Sequence, residues 1–163
     1  MKFFSHFERR RVVAILLLFF ITSCFSKSHD PAWVLQKNVT EKHAYNSGKL
    51  SYPAQSQFNG IEIELMKSSR DLRLYLNVFT RSIPSASNDP SKALVSLNIA
   101  GKQTDFFADR FEGGQRLLLP QNALDTILEA LQQDSTIEIT LTGYRATISP
   151  DRFTKLYSKL MKI

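Results

Sequence analysis

Short runs in which apolar and polar residues alternate constrain the fold more than any other feature of the sequence. The clearest occupy residues 61–65 and 72–78, and others lie at residues 93–100, 136–141 and 144–148. A period of two residues is typical of β-strands with one face in a core and the other in water. Turn residues, not helices, separate most of these runs, so we predict antiparallel pairing and no parallel βαβ winding.

Two stretches near the C-terminus have helical periodicity instead. Residues 123–133 follow a predicted N-cap at Asn122, and a last helix is predicted to open at Ser149-Pro150-Asp151. We therefore predict an α+β fold: a mostly antiparallel β-sandwich or curved sheet with two amphipathic helices near the C-terminus. The lysines of the last helix either face water, which is the more ordinary arrangement, or contact anionic lipid.

The first 23 residues have the layout of an export signal. Lys2 and the run Arg9-Arg10-Arg11 precede ten apolar residues, Val12 to Ile21, which end at the small polar pair Thr22-Ser23. A helix that crosses a bilayer needs about 20 apolar residues, so this run is too short to favour a permanent membrane span.

Ile21-Thr22-Ser23-Cys24 resembles the lipobox of bacterial lipoproteins. The resemblance implies a diacylglyceryl group on the Cys24 sulfur, cleavage between Ser23 and Cys24, and in many cases acylation of the new amino terminus. Phe25 and Ser26 follow, instead of the Asp that retains such proteins in the inner membrane, which favours the outer membrane. The alternative is a secreted protein with a free cysteine.

These observations divide the chain into a signal peptide (1–23), a lipidated Cys with a linker (24–58) and one globular β-rich domain (59–163). The linker is inferred because residues 25–58 are polar and lack a sustained apolar period. The domain has ample material for a core, since the chain is 43% hydrophobic with twelve Phe. Residues 1–23 contain four basic residues and Glu8, so their removal lowers the net charge from +6 to +3. The remaining sequence has no cluster of basic residues that would indicate nucleic-acid binding.

Residues with catalytic or metal-binding chemistry are sparse. The single Cys cannot form an internal disulfide, and His29 and His43 are 14 positions apart without nearby carboxylate spacing, so we predict no metal and no cofactor. Glu62 and Glu64 fall on one solvated strand face, where they are a common solubility device. With no nucleophile beside a base and no phosphate loop, the sequence predicts a protein that is not an enzyme.

A segment in which Phe alternates with charged residues is the strongest candidate for binding. Phe106, Phe107, Arg110 and Phe111 form a possible contact patch, because aromatic and Arg side chains dominate many interfaces. The alternative is a twisted strand whose Phe side chains enter the core. Residues 82–92 precede this segment and contain two Pro and four Ser, which predicts a mobile loop.

The run from Val95 to Leu160 resembles the invasion-associated locus B β-sandwich family in its order of strand, aromatic hairpin, helix, strand pair and closing helix. No functional residue is carried over from that family. The sequence as a whole predicts a noncatalytic, lipid-anchored protein of the bacterial cell envelope that binds or positions a protein partner. The alternative is a small inhibitor or ligand-binding lipoprotein that uses the aromatic-charged patch.

Overall fold

A nine-stranded antiparallel sheet carries the fold, which we describe from a computed structural model covering residues 31–38 and 46–163. The predicted cleavage and lipidation positions, Ser23 and Cys24, and both His29 and His43 lie outside the described residues. The strands are β1 (Val34–Asn38), β2 (Ser47–Tyr52), β3 (Glu62–Lys67), β4 (Leu72–Asn77), β5 (Lys92–Ile99), β6 (Lys102–Arg110), β7 (Arg116–Leu118), β8 (Ile137–Leu141) and β9 (Tyr144–Ile148). The helices are α1 (Gln121–Gln132) and α2 (Phe153–Leu160).

Sheet order departs from chain order at the centre. The strands lie in the order β1-β2-β3-β4-β7-β6-β5-β8-β9, and each neighbouring pair is antiparallel. The predicted antiparallel pairing is confirmed, and β3–β4 and β5–β6 form hairpins, with Leu65 opposite Leu74 and Val95 opposite Phe106. The short strand β7 joins these two hairpins into one sheet, because it pairs with both β4 and β6.

The sheet curls around its apolar face, so the structure has the curved-sheet form of the predicted α+β fold. Both helices pack on that face: α1 contacts β4 and β8, and α2 contacts β1 and β2. The edge strand β9 approaches the β2–β3 connection, where the Arg145 N–H donates to the Asn59 carbonyl at 2.9 Å and Gln55 Nε2 donates to the Thr147 carbonyl at 2.6 Å. The curled face and the two helices enclose one hydrophobic core.

The segment predicted as a linker contains two strands of the sheet. The compact unit begins at Pro31, well before the predicted boundary at residue 59. Trp33 anchors its start, since its indole Nε1 donates to the Ser149 carbonyl at 2.8 Å and its ring packs between Tyr52 and Phe153. The strands lack a visible apolar pattern because β2 buries only two large apolar side chains and β1 is an edge strand that is mostly exposed.

The helices begin at different residues from those predicted. Pro120 occupies the N-cap position of α1, one residue before Gln121, and no side chain caps the helix. The second helix starts only after Arg152, whose φ of +62° is left-handed and interrupts the turn that Ser149 and Pro150 begin. The apolar residues at helical spacing nevertheless face the core in both helices, although Leu128 and Tyr157 are only half-buried. Within the described residues, neither helix is long and apolar enough to cross a bilayer.

Candidate functional site

The four residues of the predicted binding patch do not share one surface. Strand alternation turns Phe106 into the core, where it is 8% exposed, whereas Phe107 points outward and is 60% exposed. Phe111 is also exposed, but it lies beside the ring of Tyr75, with ring centres 6.1 Å apart. The predicted patch therefore contains one buried ring and two exposed rings. Phe106 and Phe107 differ because adjacent residues of a strand face opposite sides.

Arg110 serves the fold of a neighbouring loop. Its Nε donates to the Ile83 carbonyl at 2.7 Å, and its guanidinium lies against Gly114. Any side chain at position 114 would collide with that guanidinium, and the φ of +66° there also favours glycine. These contacts hold the guanidinium against the protein, so we assign Arg110 to the support of the loop and not to a binding surface.

Phe107 instead forms a surface with a residue that the predicted patch did not contain. Leu94 stands directly opposite it on β5 and is 45% exposed. The two side chains line a groove of about 660 Å³, whose other walls are the loop before β5 and the turn between β8 and β9. We call it the Phe107 groove; its lining residues are Pro84, Ser85, Ala86, Ser87, Asn88, Asp89, Lys92, Leu94, Phe107 and Thr142.

A second depression continues this surface toward the end of the sheet. It measures about 520 Å³ and shares Pro84 and Thr142 with the Phe107 groove. Phe58, at its rim, is one of the most exposed large apolar side chains of the described chain. Exposed Leu and Phe side chains that lie next to one another mark binding surfaces more often than isolated ones do.

The loop that walls the groove has no helix or strand, as expected from its prolines and serines, but it is held at several points. Ile83 is buried in the core, and its N–H donates to the Gly114 carbonyl at 2.7 Å. The Tyr144 hydroxyl accepts from the Arg81 N–H at 2.8 Å and donates to the Arg81 carbonyl at 2.6 Å. The groove thus has a wall whose backbone is tied to the sheet on both sides.

Charges at the groove are paired. Lys92 forms an ion pair with Asp109, and the hydrogen bond between them raises the pKa of Lys92 although burial opposes it. Asp89 accepts hydrogen bonds from the Ser91 hydroxyl at 2.6 Å and from the Ser91 N–H at 2.8 Å, which lower the pKa of Asp89. Both groups are therefore ionised at neutral pH, and the apolar pair Leu94 and Phe107 lies beside a polar rim whose charges are already satisfied.

Glu64 is the most buried carboxylate of the described chain, although its strand face was predicted to be solvated. It is 7% exposed because Lys49 and Arg116 close over it, with Nζ at 2.8 Å and Nη1 at 3.1 Å from its two oxygens. The Arg116 guanidinium also lies 4.1 Å above the centre of the Tyr75 ring. Neighbouring strands supply all these partners, so the sequence around Glu64 could not reveal them.

The ion-pair cluster keeps Glu64 as a carboxylate. Burial raises the pKa of Glu64, but hydrogen bonds from Lys49 and Asn77 and the charges of Lys49 and Arg116 outweigh it and leave the pKa below its ordinary value. A carboxylate of this kind neither donates a proton at neutral pH nor has a free oxygen for a metal. Among residues 31–38 and 46–163, no three His, Cys, Asp or Glu side chains gather as metal ligands.

No family model matches the chain, and no curated protein or solved structure matches it either. The likenesses of residues 21–24 and 95–160 to known families therefore stay predictions from the sequence. The site residues that sequence reasoning missed are Pro84, Leu94 and Thr142. Only Leu94 had a local signal, because it is an apolar residue at an outward position of an alternating strand.

Proposed function

We propose that this protein is a noncatalytic, lipid-anchored protein of the bacterial cell envelope, and that it binds a protein partner through the Phe107 groove. The observation that carries the proposal is the exposed pair of Leu94 and Phe107, which face each other across two strands at the edge of a groove. Full burial of a Leu or Phe side chain contributes about 1.5 to 3 kcal/mol, so a partner that covers both gains a substantial part of a binding free energy.

The anchor is the sequence-based part of the proposal. Cys24 carries the lipid and Ser23 precedes the cleavage point, as the lipobox resemblance implies. Two or three acyl chains give stable attachment, because each buried CH₂ contributes about 0.8 kcal/mol. We assign the protein to the outer membrane before the inner one because Phe25, not Asp, follows Cys24.

We assign no reaction to the groove. Its two charged side chains, Asp89 and Lys92, are ionised and already bound to Ser91 and Asp109. General acid–base catalysis needs a group whose pKa lies near the working pH and which reaches the substrate. The paired charges support a role in orienting a partner.

A photoreactive amino acid at position 107 tests the protein partner in the native membrane. We expect irradiation to join one defined partner to the chain, and the same probe at Ser69, exposed in the β3–β4 hairpin, to leave that partner uncaptured. Leu94→Ser should reduce the yield at position 107, because it removes the facing apolar side chain. Equal capture from both positions, or a yield indifferent to Leu94→Ser, contradicts the proposal.

A small apolar ligand is the second candidate. The groove volume of about 660 Å³ lies within the range of small-molecule sites, about 300 to 1,000 Å³, and polar atoms of Ser85 and Asp89 stand at its wall. This candidate predicts that the photoreactive probe captures no protein, while a co-purified small molecule is lost from Phe107→Ser and kept by Phe111→Ser.

A further inference from the structure

A second groove, between the edge strand β1 and helix α2, has a different chemistry. It measures about 680 Å³ and combines apolar and cationic side chains. We call it the Trp33 groove; its lining residues are Trp33, Val34, Leu35, Lys37, Arg152, Leu156 and Lys159. Three of the seven are cations, and none of the described residues that line the groove is acidic.

The cations of this groove are exposed, and no carboxylate in the described part of the chain neutralises them. Lys37, Arg152 and Lys159 form no ion pair with any carboxylate of the described residues. Lys155 in α2 and Lys162 just beyond it add positive charge, against Asp151 before the helix and Asp125 of α1, whose charge acts on Tyr157. A concentration of unpaired cations favours an anionic partner.

The apolar residues make the groove suitable for a lipid surface. Val34 is 48% exposed at the edge of the sheet, whereas the next residue, Leu35, is partly buried against the core. By contrast, the apolar stripe of α2 is turned into the core, with Phe153, Leu156 and Leu160 buried. The helix therefore presents its cations without inserting, which is the arrangement of a protein that lies on an anionic membrane and does not enter it.

The length of the tether decides between possible occupants. Six residues lie between Cys24 and Pro31, and the seven Cα–Cα steps that join them span at most about 25 Å. If Cys24 carries the lipid, as in the proposed function on which this inference rests, the domain starts at Pro31 within that distance of the bilayer. Attraction of Lys and Arg to anionic lipid acts near the surface and decays within a Debye length, about 8 Å at physiological salt, and a tether this short allows the Trp33 groove to approach that closely.

We infer that the Trp33 groove is a membrane-facing surface: Lys37, Arg152 and Lys159 contact the phosphates of anionic lipids, while Val34 lies against the lipid interface. This contact fixes the orientation of the anchored domain on its membrane. The Phe107 groove, on central strands of the sheet, then stays available to a partner.

Trp33 is the only tryptophan of the chain and lines this groove, so its fluorescence reports the contact directly. The full chain, processed and lipidated by the cell, is inserted into vesicles that contain phosphatidylcholine spin-labelled at the headgroup. One set is otherwise phosphatidylcholine, and the other is equimolar phosphatidylcholine and phosphatidylglycerol. We expect stronger quenching of Trp33 in the anionic vesicles, and loss of the difference in 1 M salt, where the Debye length is about 3 Å.

The variant Lys37→Gln/Arg152→Gln/Lys159→Gln should lose the anionic quenching. Each cation near an anionic surface contributes about fivefold to the equilibrium, so three together shift it by about a hundredfold. The matched control Arg70→Gln/Lys102→Gln/Arg145→Gln removes the same charge from exposed positions elsewhere and should quench like the original protein. Lys37→Arg/Lys159→Arg keeps the charge and should also keep the quenching.

Equal quenching in neutral and anionic vesicles overturns the inference, as does an equal loss in the matched control. Equal quenching in the two kinds of vesicle is the result expected if the groove binds an acidic protein segment and not a membrane. Failure of the anchor is a separate outcome, because it appears in vesicle flotation: an unanchored chain does not float with neutral vesicles. In that case the charge dependence of binding to the anionic vesicles still tests the groove.

Discussion

The two grooves have nearly equal volumes, about 660 and 680 Å³, but they treat charge in opposite ways. In the Phe107 groove, Lys92 is neutralised by Asp109, so the exposed Leu94 and Phe107 dominate the surface. In the Trp33 groove, Lys37, Arg152 and Lys159 lack a described carboxylate partner. The difference teaches that charge pairing, more than size, decides which partner a groove suits: apolar side chains in one case and anions in the other.

Two phenylalanines, Phe153 in the core behind Trp33 and Phe107 in the Phe107 groove, should differ most in their effect on stability. Phe153 is 1% exposed and packs against Trp33 and Tyr157, with ring centres 5.0 and 5.4 Å away. Phe153→Ala should lower the free energy of unfolding by about 3 to 5 kcal/mol. Phe107→Ala should change it by about 0.5 kcal/mol, because that ring is mostly exposed. Urea denaturation of both variants measures the contrast, and similar losses would contradict the assignment of Phe107 to a binding surface.

Glu64→Gln removes the carboxylate from the ion-pair cluster and leaves cations without a partner, as in the Trp33 groove. Lys49 and Arg116 would keep their charges without the carboxylate between them. We expect a loss of about 2 kcal/mol, between the values for exposed and fully buried pairs, because both cations are partly exposed.

The effect of Glu64→Gln should also depend on pH. Since pairing lowers the pKa of Glu64 below its ordinary value of 4.5, the contribution of the carboxylate to stability is complete above that value. It is lost as the pH falls through the lower pKa of the folded state. The stabilities of the original protein and the variant should therefore converge in acid, and a gap that widens there would refute the role of the ion pairs.

Each groove has one aromatic side chain that is hydrogen-bonded to a distant backbone group. Trp33 bonds to Ser149 at the Trp33 groove, and Tyr144 bonds to Arg81 in the loop beside the Phe107 groove. Tyr144→Phe should cost about 1 kcal/mol, because the Arg81 N–H and carbonyl lose their shared partner. Hydrogen exchange should accelerate at the Arg81 amide and stay unchanged at Leu50, which lies in β2 away from this loop. Uniform acceleration would indicate global destabilisation instead of a local release of the loop.

Local pattern predicted the strands with strict alternation and both apolar helix stripes, because their periods reflect burial of one face. It missed β1 and β2, whose burial depends on Trp33, Ser149 and α2, more than 100 residues apart along the chain. It also placed Phe106 and Phe107 in one patch, although adjacent strand residues face opposite sides. Leu94 joins Phe107 only through the register of β5 and β6, and Pro84 and Thr142 reach the groove only because the sheet brings their loops together.

The most direct test of the account is the affinity of the captured partner for variants of the Phe107 groove. The double variant Leu94→Ser/Phe107→Ser should weaken binding by about 2 to 4 kcal/mol, or roughly 30-fold to 1,000-fold in Kd, because both apolar contacts are removed. The control Phe111→Ser changes an exposed aromatic residue outside the groove and should leave Kd within about twofold. An unchanged Kd in the double variant, with the fold intact by circular dichroism, would contradict the assignment of the groove as the binding site.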